Sequence, residues 1–323
     1  MNSSIADNKK RSMSAMMFCI DTVVAMLPLI LVAIYYYGAR VIMMCLASVV
    51  AALMVKLTFC YVRRRNMCAA DLYCVSAALS VALFCPASAP YWLPMFGAAL
   101  TVAVRELSVK FIGRDAFCSA AFALAVMFLA FGSKMSYYTA PGGGGIGLFS
   151  VNAPERSASI LQAVEWGRIP AVNGLEMLLG RYGGPIGTTV LSVLIMCAAY
   201  IAIRRPRTFY SLLPYMTTLA LFGLIFVRVG SSRAMSAMYE TLGGSTVFCA
   251  VFVAAQPGTM PSTAVGRALS GVTMGILTMI MRYIGLCDSS CVYALLLVSL
   301  FADWFDRPAV LMRRRKTDNR IER

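Results

Sequence analysis

The sequence predicts an all-α, polytopic membrane protein with ten transmembrane helices, arranged as two inverted five-helix repeats with broken third helices. Of its 323 residues, 60% are hydrophobic and 13% are charged, and the mean hydropathy is +0.75. Soluble domains carry about 25% charged residues. Two of the apolar runs are short and end at similar motifs, Pro86–Pro90 and Pro257–Pro261, which lie 171 residues apart. Paired short, proline-interrupted segments indicate an inverted repeat.

The apolar runs are long enough for membrane spans and recur along the whole chain. The first run is too long for a signal-peptide core and has no small-residue cleavage motif, so we interpret it as a span. The predicted helices are 15–37, 40–61, 70–86, 91–111, 116–133, 186–203, 209–228, 240–256, 265–285 and 290–306.

A shift of 171 residues places the first predicted helix near the sixth, so five helices repeat as five. An odd number of spans places the second copy in the opposite orientation. The predicted organisation is a first repeat, an extracytoplasmic loop, a second repeat and a basic cytoplasmic tail, at residues 1–133, 134–185, 186–306 and 307–323.

The lysines and arginines predict the orientation. If the amino terminus is cytoplasmic, 19 of the 29 basic residues fall in cytoplasmic segments and 8 fall outside. Basic residues concentrate on the cytoplasmic side of membrane proteins. We therefore expect a multi-pass protein of the inner (cytoplasmic) membrane with both termini in the cytoplasm. The net charge of +15 then reflects orientation in a lipid bilayer, and we expect no nucleic-acid partner.

The long loop at 134–185 is predicted to be partly ordered. Loops of this length in compact bundles are usually functional or disordered. The run Gly142–Gly145 is interpreted as a flexible link, because it lacks the lysine and the helix of a phosphate loop. The segment Asn173–Gly180 has apolar spacing and a terminal glycine, which predicts a short interfacial helix.

Ionisable residues within spans are costly and are therefore functional candidates. Arg105 and Glu106 lie deepest, and adjacent helical residues point about 100° apart, so we expect them to pair with other helices rather than with each other. The alternatives for this pair are a structural ion pair and a transport role. The full set is Asp21, Lys56, Asp71, Arg105, Glu106, Asp115, Glu240, Arg282 and Asp303.

Motifs of soluble enzymes are absent from the sequence, including a Walker loop, a dinucleotide fingerprint and a nucleophile elbow. The chain has no histidine. We therefore assign no catalytic residue and no metal site, and we do not expect this chain to be catalytic alone.

Several motifs, in order along nearly the whole chain, resemble the D subunit of the Rnf electron-transport complex and the related B subunit of the sodium-pumping NADH:quinone reductase. The chain departs from the family pattern at Gln256, which replaces an aspartate, so we interpret it as a divergent member. The matching pieces are Asp71, Pro86–Pro90, Gly113-x-Asp115-x-Phe117, Gly183–Gly187, Gly243-Gly244, Ala254–Pro257, Ser262–Arg267 and Asp306–Pro308.

The resemblance implies a flavin mononucleotide (FMN) joined through its phosphate to a hydroxyl on the outer loop. The family's acceptor motif, Asp-x-x-(Ser/Thr)-Gly-Ala-Thr, aligns with Ala153–Ser159, which keeps the alanine and places Ser159 at the threonine. Ser157 replaces the glycine, and Arg156 could offset the phosphate charge. Gly187 and Thr188 follow from the matching Gly183–Gly187 segment as further cofactor-binding candidates. Riboflavin between the helices is a second flavin that the residues leave open.

The function that the resemblance implies is that of an integral subunit of a redox-driven ion pump. Electrons would pass between ferredoxin and NAD through flavins, and the other subunits of an Rnf-like complex would be its partners. Two alternatives use the same helices: a self-contained small-solute transporter or channel, and a flavin-free subunit kept for assembly. An acceptor hydroxyl such as Ser159 distinguishes the first function from both alternatives.

Overall fold

The computed structural model is almost entirely helical. Its only β structure among the described residues is a two-residue antiparallel ladder between β1, Tyr138–Thr139, and β2, Arg156–Ser157. The structure describes residues 2–64, 67, 69–113, 115, 117–139, 141, 156–170, 172–228, 232–254, 256, 260–286 and 288–307.

Helices lie at the predicted places, with differences at their ends. Four of them, among the described residues, are long and apolar enough to cross a membrane: Cys19–Tyr37, Arg40–Val62, Pro206–Ile225 and Ala264–Tyr283. The α-helices are α1 Asn2–Tyr37, α2 Arg40–Val62, α3 Tyr73–Phe84, α4 Trp92–Ile112, α5 Ser119–Met135, α6 Ile160–Glu165, α7 Gly174–Leu179, α8 Leu191–Arg204, α9 Pro206–Ile225, α10 Arg233–Leu242, α11 Thr246–Phe248, α12 Ala264–Tyr283 and α13 Ser290–Leu300.

The first proline motif ends α3, as predicted, and a loop about 100 residues later in the sequence caps the buried helix end. The amide of Ile186 donates to the carbonyl of Cys85 (3.1 Å), and the amide of Gly187 donates to that of Leu83 (2.7 Å). Helix ends leave carbonyls without partners, so this loop satisfies two of them. Residues 186–190 were predicted to be helical but form a loop in the structure, and α8 begins only at Leu191.

The predicted helix 240–256 is built from three pieces. Helix α10 begins earlier, at Arg233, and ends at Gly243; Gly244 follows in the left-handed region with φ 65°. Helix α11 then runs into a π-helical turn at Cys249–Val253. The second proline motif lies outside the described residues except for Met260 and Pro261.

The loop between α5 and α8 contains the predicted short helix. Helix α7 begins at Asn173, whose amide donates to the Glu176 carboxylate (2.9 Å). It ends at Gly180, which is left-handed with φ 78°. The hydroxyl of Tyr36, in the last turn of the apolar span of α1, donates to the carbonyl of Leu179 (2.8 Å). Helix α7 therefore lies level with the end of that span. The run Gly142–Gly145 lies outside the described residues.

The helices pack in a pattern that is similar in the two halves. Helix α2 packs most extensively on α4, and α9 on α12, where Gly271 and Gly275 allow close approach. Contacts between the halves join α1 with α8, α5 with α13, and α3 with the π-helical turn. Each of these contacts joins segments that a shift of about 171 residues makes equivalent.

Candidate functional site

Ser159 forms the N-cap of α6, and its side chain is almost fully buried, with 1% exposed. Its Oγ accepts from the amide of Gln162 (3.1 Å), and the Gln162 side chain accepts from the amide of Ser159 (3.3 Å). This reciprocal capping arises because a serine is followed three residues later by a glutamine. The hydroxyl of Ser159 donates to the carboxylate of Asp288, with Oγ 2.9 Å from Oδ1 and 3.1 Å from Oδ2.

Asp288 lies in the short turn between α12 and α13 and is also buried. The hydroxyl of Ser245 donates to its backbone carbonyl (3.0 Å). Burial raises the pKa of the Asp288 carboxyl to about 6; the hydrogen bond from Ser159 and the charge of Arg282 oppose that rise, and the charge of Glu165 adds to it. One carboxylate therefore ties the loop between α5 and α8 to the start of α13.

A cavity of about 280 Å³ opens beside this contact. Ser159 is not part of its wall, but both hydrogen-bond partners of Ser159 are. Its lining combines buried and exposed residues, so the cavity reaches the surface of the protein. Its lining includes Phe128, Gln162, Glu165, Asp288 and Tyr293.

The other predicted cofactor residues lie on segments around Ser159. Ser157 pairs with Tyr138 in the β ladder, and a Cβ at Gly183 would stand 2.8 Å from the carbonyl oxygen of Ser157. Arg156 lies on the same strand, and its side chain is outside the described residues.

Gly187 and Thr188 have structural contacts. A Cβ at Gly187 would stand 2.8 Å from the Cβ of Leu83, so the glycine is needed for the loop to reach α3. The hydroxyl of the buried Thr188 donates to the carbonyl of Pro185 (3.1 Å). Both residues therefore hold the loop in place against the end of α3.

A buried network of charges joins α2 and α4. The ammonium of Lys56 bonds the carboxylates of Asp71 (2.7 Å) and Glu106, and Arg63 bonds Glu106 (3.0 Å). The hydroxyl of Tyr73 also donates to Glu106 (3.0 Å). The expectation that Glu106 pairs with another helix is confirmed.

The guanidinium of Arg105 does not pair with Glu106, as expected, but its carboxylate partner lies in a connection rather than on another helix. It bonds the carboxylate of Asp115, with Nε 2.9 Å from Oδ1, and its Cζ stands 3.5 Å from the centroid of the Tyr73 ring. Arg105 therefore ties α4 to the connection that follows it.

A second buried network joins α10 and α12. Arg282 and Glu240 are each 1% exposed and form an ion pair at 2.7 Å. Arg282 also donates to the hydroxyls of Thr246 (2.7 Å) and Ser290 (3.3 Å). Arg228 approaches Glu240 at 3.4 Å. Asp71 lies in the turn that precedes α3, and Glu240 lies in the last turn of α10.

Asp288 was missed by the sequence analysis, because the search for ionisable residues was confined to predicted spans. A usable signal is present: an acidic residue directly before Ser289 and Ser290, between two apolar helices. Polar groups placed there become buried when the helices pack.

We predict that Asp288→Asn stabilises the folded protein at neutral pH. Because the folded pKa lies above the ordinary value of 3.8, the folded state binds more protons between these values, and its stability falls as pH rises through that window. The amide oxygen still accepts from Ser159 and carries no charge. At pH 7.5 the thermal midpoint of Asp288→Asn in detergent should exceed that of the wild type, by an amount that corresponds to about 2–3 kcal/mol of unfolding free energy. The two midpoints should be equal near pH 4. A lower midpoint of the variant at pH 7.5 would contradict the statement that burial of the Asp288 charge destabilises the fold.

These observations define the class of protein: an α-helical membrane protein with two buried charge networks and a loop held against its helices. Comparison with known proteins identifies the family. The pattern of the NQR2, RnfD, RnfE family matches residues 2–313, so the chain belongs to this family. The resemblance to the D subunit of Rnf and the B subunit of the reductase is confirmed.

Individual relatives have low sequence identity to this chain but match most of its length. A protein of Mannheimia succiniciproducens, described as the D subunit of an ion-translocating oxidoreductase complex, is 24% identical over 89% of this chain and 91% of its own. The D subunit of the Na(+)-translocating ferredoxin:NAD(+) oxidoreductase complex of Acetobacterium woodii is 23% identical over 89% and 86%. The B subunit of the Na(+)-translocating NADH-quinone reductase of Chromohalobacter salexigens is 25% identical over 73% and 59%.

Proposed function

We propose that this chain is an integral membrane subunit of an Rnf-like, redox-driven ion-translocating complex that passes electrons between ferredoxin and NAD through flavins. The observation that carries the proposal is the family match over residues 2–313, together with relatives described as subunits of such complexes. The other membrane and peripheral subunits are the proposed partners. Alone, the chain is a scaffold with part of the electron and ion path.

The proposed architecture is ten transmembrane helices in two inverted repeats. It is supported by the contacts between the halves, since α1 with α8 and α5 with α13 are the pairs that a twofold axis produces. It is also supported by the two charge networks, because Lys56–Asp71 and Arg228–Glu240 occupy equivalent places. In inverted repeats these networks lie toward opposite faces of the membrane.

Both termini are proposed to lie in the cytoplasm, with the loop at 134–185 outside. Reporter fusions at residue 323, in the loop near residue 145, and before α1 test this orientation. The expected result is cytoplasmic reporter activity at both termini and extracytoplasmic activity in the loop. Termini on opposite sides of the membrane would overturn the inverted repeat.

Ser159 is the proposed acceptor of a covalent FMN on the strength of its motif and its hydroxyl. The adjacent cavity has the aromatic side chains Phe128 and Tyr293 and the amide of Gln162, which suit a flavin ring, whereas the carboxylates of Asp288 and Glu165 would repel its phosphate. Because Ser159 is buried, attachment requires the start of α6 to open. A flavin bound there supplies one- and two-electron transfer. Riboflavin between the helices stays a prediction.

We predict that Ser159→Ala abolishes covalent flavin labelling. Co-expression with a flavin transferase should give a chain that is fluorescent on a denaturing gel, and mass spectrometry should place FMN on residue 159. Ser76→Ala is the matched control, because Ser76 is also a buried serine, and its hydroxyl donates to the carbonyl of Tyr73 within its own helix. An unlabelled wild-type chain would remove the flavin from the proposal.

The two alternative functions make different predictions at the same residue. A self-contained transporter or channel needs no acceptor hydroxyl, and a flavin-free assembly subunit binds its partners without label. An unlabelled chain that co-purifies with companion membrane subunits would favour the assembly role. An unlabelled chain that purifies alone and moves a solute in vesicles would favour the transporter.

A further inference from the structure

We propose that Arg40 and the adjoining starts of α2 and α4 bind the phosphate of an anionic phospholipid, whose acyl chains lie on the exposed apolar faces of these two helices. The site is separate from the loop that carries Ser159, and the inference does not depend on the flavin or on electron transfer. It requires only that α2 crosses the membrane, for which its length and composition are suited.

Arg40 is a buried cation that has no acidic partner among the described residues. It is 9% exposed, so its guanidinium does not extend into water as that of a snorkelling arginine does. The other two buried basic residues in the described part of the chain, Lys56 and Arg282, each bond a carboxylate at 2.7 Å. A buried charge without a counter-charge is costly, so the surroundings of Arg40 favour an anion.

The contacts of the Arg40 guanidinium leave donors for a ligand. Its Nη2 donates to the carbonyl of Ala89 in the first proline motif (3.1 Å), and its Cζ stands 5.0 Å from the centroid of the Tyr91 ring. Its Nε is buried and has no hydrogen-bond partner. A guanidinium presents its donors as a planar fork that matches two oxygens of one phosphate. The unused donors of Arg40 therefore suit a phosphate oxygen pair.

Two helices begin beside this guanidinium and run in the same direction. Arg40, the first residue of α2, reaches Ala89 just before α4, and Lys56 bonds Glu106 toward the other ends of the same two helices. Neither helix has a side-chain cap at its first turn. The amino-terminal end of a helix carries a partial positive charge that attracts anions. Both helix ends therefore add to the positive potential at Arg40.

Neighbouring side chains place the site at the level of lipid headgroups. Tyr91 and Trp92 stand at the start of α4, and these two residue types are enriched where a membrane meets water. The ammonium of Lys134 lies 4.9 Å from the centroid of the Trp92 ring. Among the described residues, neither Lys134 nor Arg40 is paired with a carboxylate. Two cations favour a lipid with a net negative charge over a zwitterionic one.

The first two turns of both helices also expose apolar side chains. A soluble phosphate makes no use of such a surface, but the acyl chains of a phospholipid bound at the helix ends would cover it. This surface is the reason for assigning the phosphate to a lipid. It consists of Ile42, Met43 and Leu46 on α2 and Met95 and Phe96 on α4.

The test measures lipid binding to the purified chain, stripped of lipid in a neutral detergent. Native mass spectrometry counts bound phosphatidylglycerol and gives its dissociation constant; phosphatidylcholine with the same acyl chains is the zwitterionic probe. Inorganic phosphate is tested by its effect on the thermal midpoint. The variants are Arg40→Gln and Arg40→Lys. Arg204→Gln is the matched control, because it removes the same charge from a largely exposed residue that bonds Asp21.

The expected result is tight binding of one phosphatidylglycerol to wild type and to Arg204→Gln, and an affinity about 10-fold lower in Arg40→Gln. Arg40→Lys should fall between them, because it keeps the charge but loses the fork of donors. Equal affinity of wild type and Arg40→Gln would overturn the site. A midpoint rise with inorganic phosphate equal to that with phosphatidylglycerol would assign the site to a soluble phosphate and overturn the lipid.

A fluorescence measurement tests the same site without changing Arg40, and so does not depend on the folding of its variants. A chain with Trp166→Phe and Trp304→Phe keeps Trp92 as its single tryptophan. Phosphatidylglycerol brominated on its acyl chains should quench Trp92, and the quenching should saturate at a single lipid per chain. A chain that keeps only Trp304 should lack this saturable step. The same step in both chains, or none at Trp92, would overturn the inference.

Discussion

Replacing Arg282 with methionine is expected to lower the free energy of unfolding by about 3–5 kcal/mol. The change removes the nearer cation paired with Glu240, at 2.7 Å, and leaves the buried carboxylate with the more distant Arg228, at 3.4 Å, since the Arg282 and Glu240 side chains are both 1% exposed. It also removes the donor to the hydroxyls of Thr246 and Ser290. The measurement is the thermal midpoint of the purified chain in detergent, together with its folded yield.

Two further variants test whether the buried charge of Glu240 causes the loss of stability. The double variant Arg282→Met with Glu240→Gln should recover much of the loss, because no uncompensated charge stays buried. Arg204→Met is the control for loss of an arginine: the Arg204 side chain is largely exposed, and its partner Asp21 keeps a second arginine, Arg205, at 3.5 Å, so little stability should be lost. An Arg282→Met midpoint equal to that of Arg204→Met would show that the buried pair does not stabilise the fold.

The second large effect is expected from Gly271→Ala, with a loss of about 1–3 kcal/mol. A Cβ at Gly271 would stand 2.4 Å from the carbonyl oxygen of Ser211, a backbone atom of α9 that cannot rotate away. One turn later, a Cβ at Gly275 would stand 2.7 Å from the Cβ of Thr218. The two glycines therefore set the distance between α9 and α12, and an added methyl group forces the helices apart.

The matched control is Gly132→Ala, a helical glycine with no atom within 4 Å of the added Cβ. Its midpoint should stay constant or rise, because alanine restricts the unfolded chain by about 0.4–1 kcal/mol. Cross-linking between cysteines introduced on α9 and α12 gives an independent measure of their separation. Equal midpoints for the two variants would contradict the close packing of these helices.

Local signals in the sequence were enough to predict the helices. The apolar runs predicted where helices lie, and apolar spacing with a terminal glycine predicted α7 and its end. The pairing of Glu106 with another helix followed from the geometry of one helix turn, and the structure adds the partners, Lys56 and Arg63.

Contacts between distant parts of the chain explain where the sequence analysis differed from the structure. Residues 186–190 are loop rather than helix because Ile186 and Gly187 bond the end of α3, about 100 residues earlier. The predicted acceptor Ser159 was identified from its motif, but its partner Asp288 comes from the turn before α13. Such a contact depends on tertiary packing, which a pattern in one sequence does not encode.

The most direct test of the account is purification of the chain, tagged and expressed at its native level, from solubilised membranes. The account predicts that further membrane subunits and subunits carrying flavin and iron–sulfur centres co-purify in fixed ratio, and that the chain itself carries FMN on Ser159. A chain that elutes alone, without flavin and without companion subunits, would contradict it.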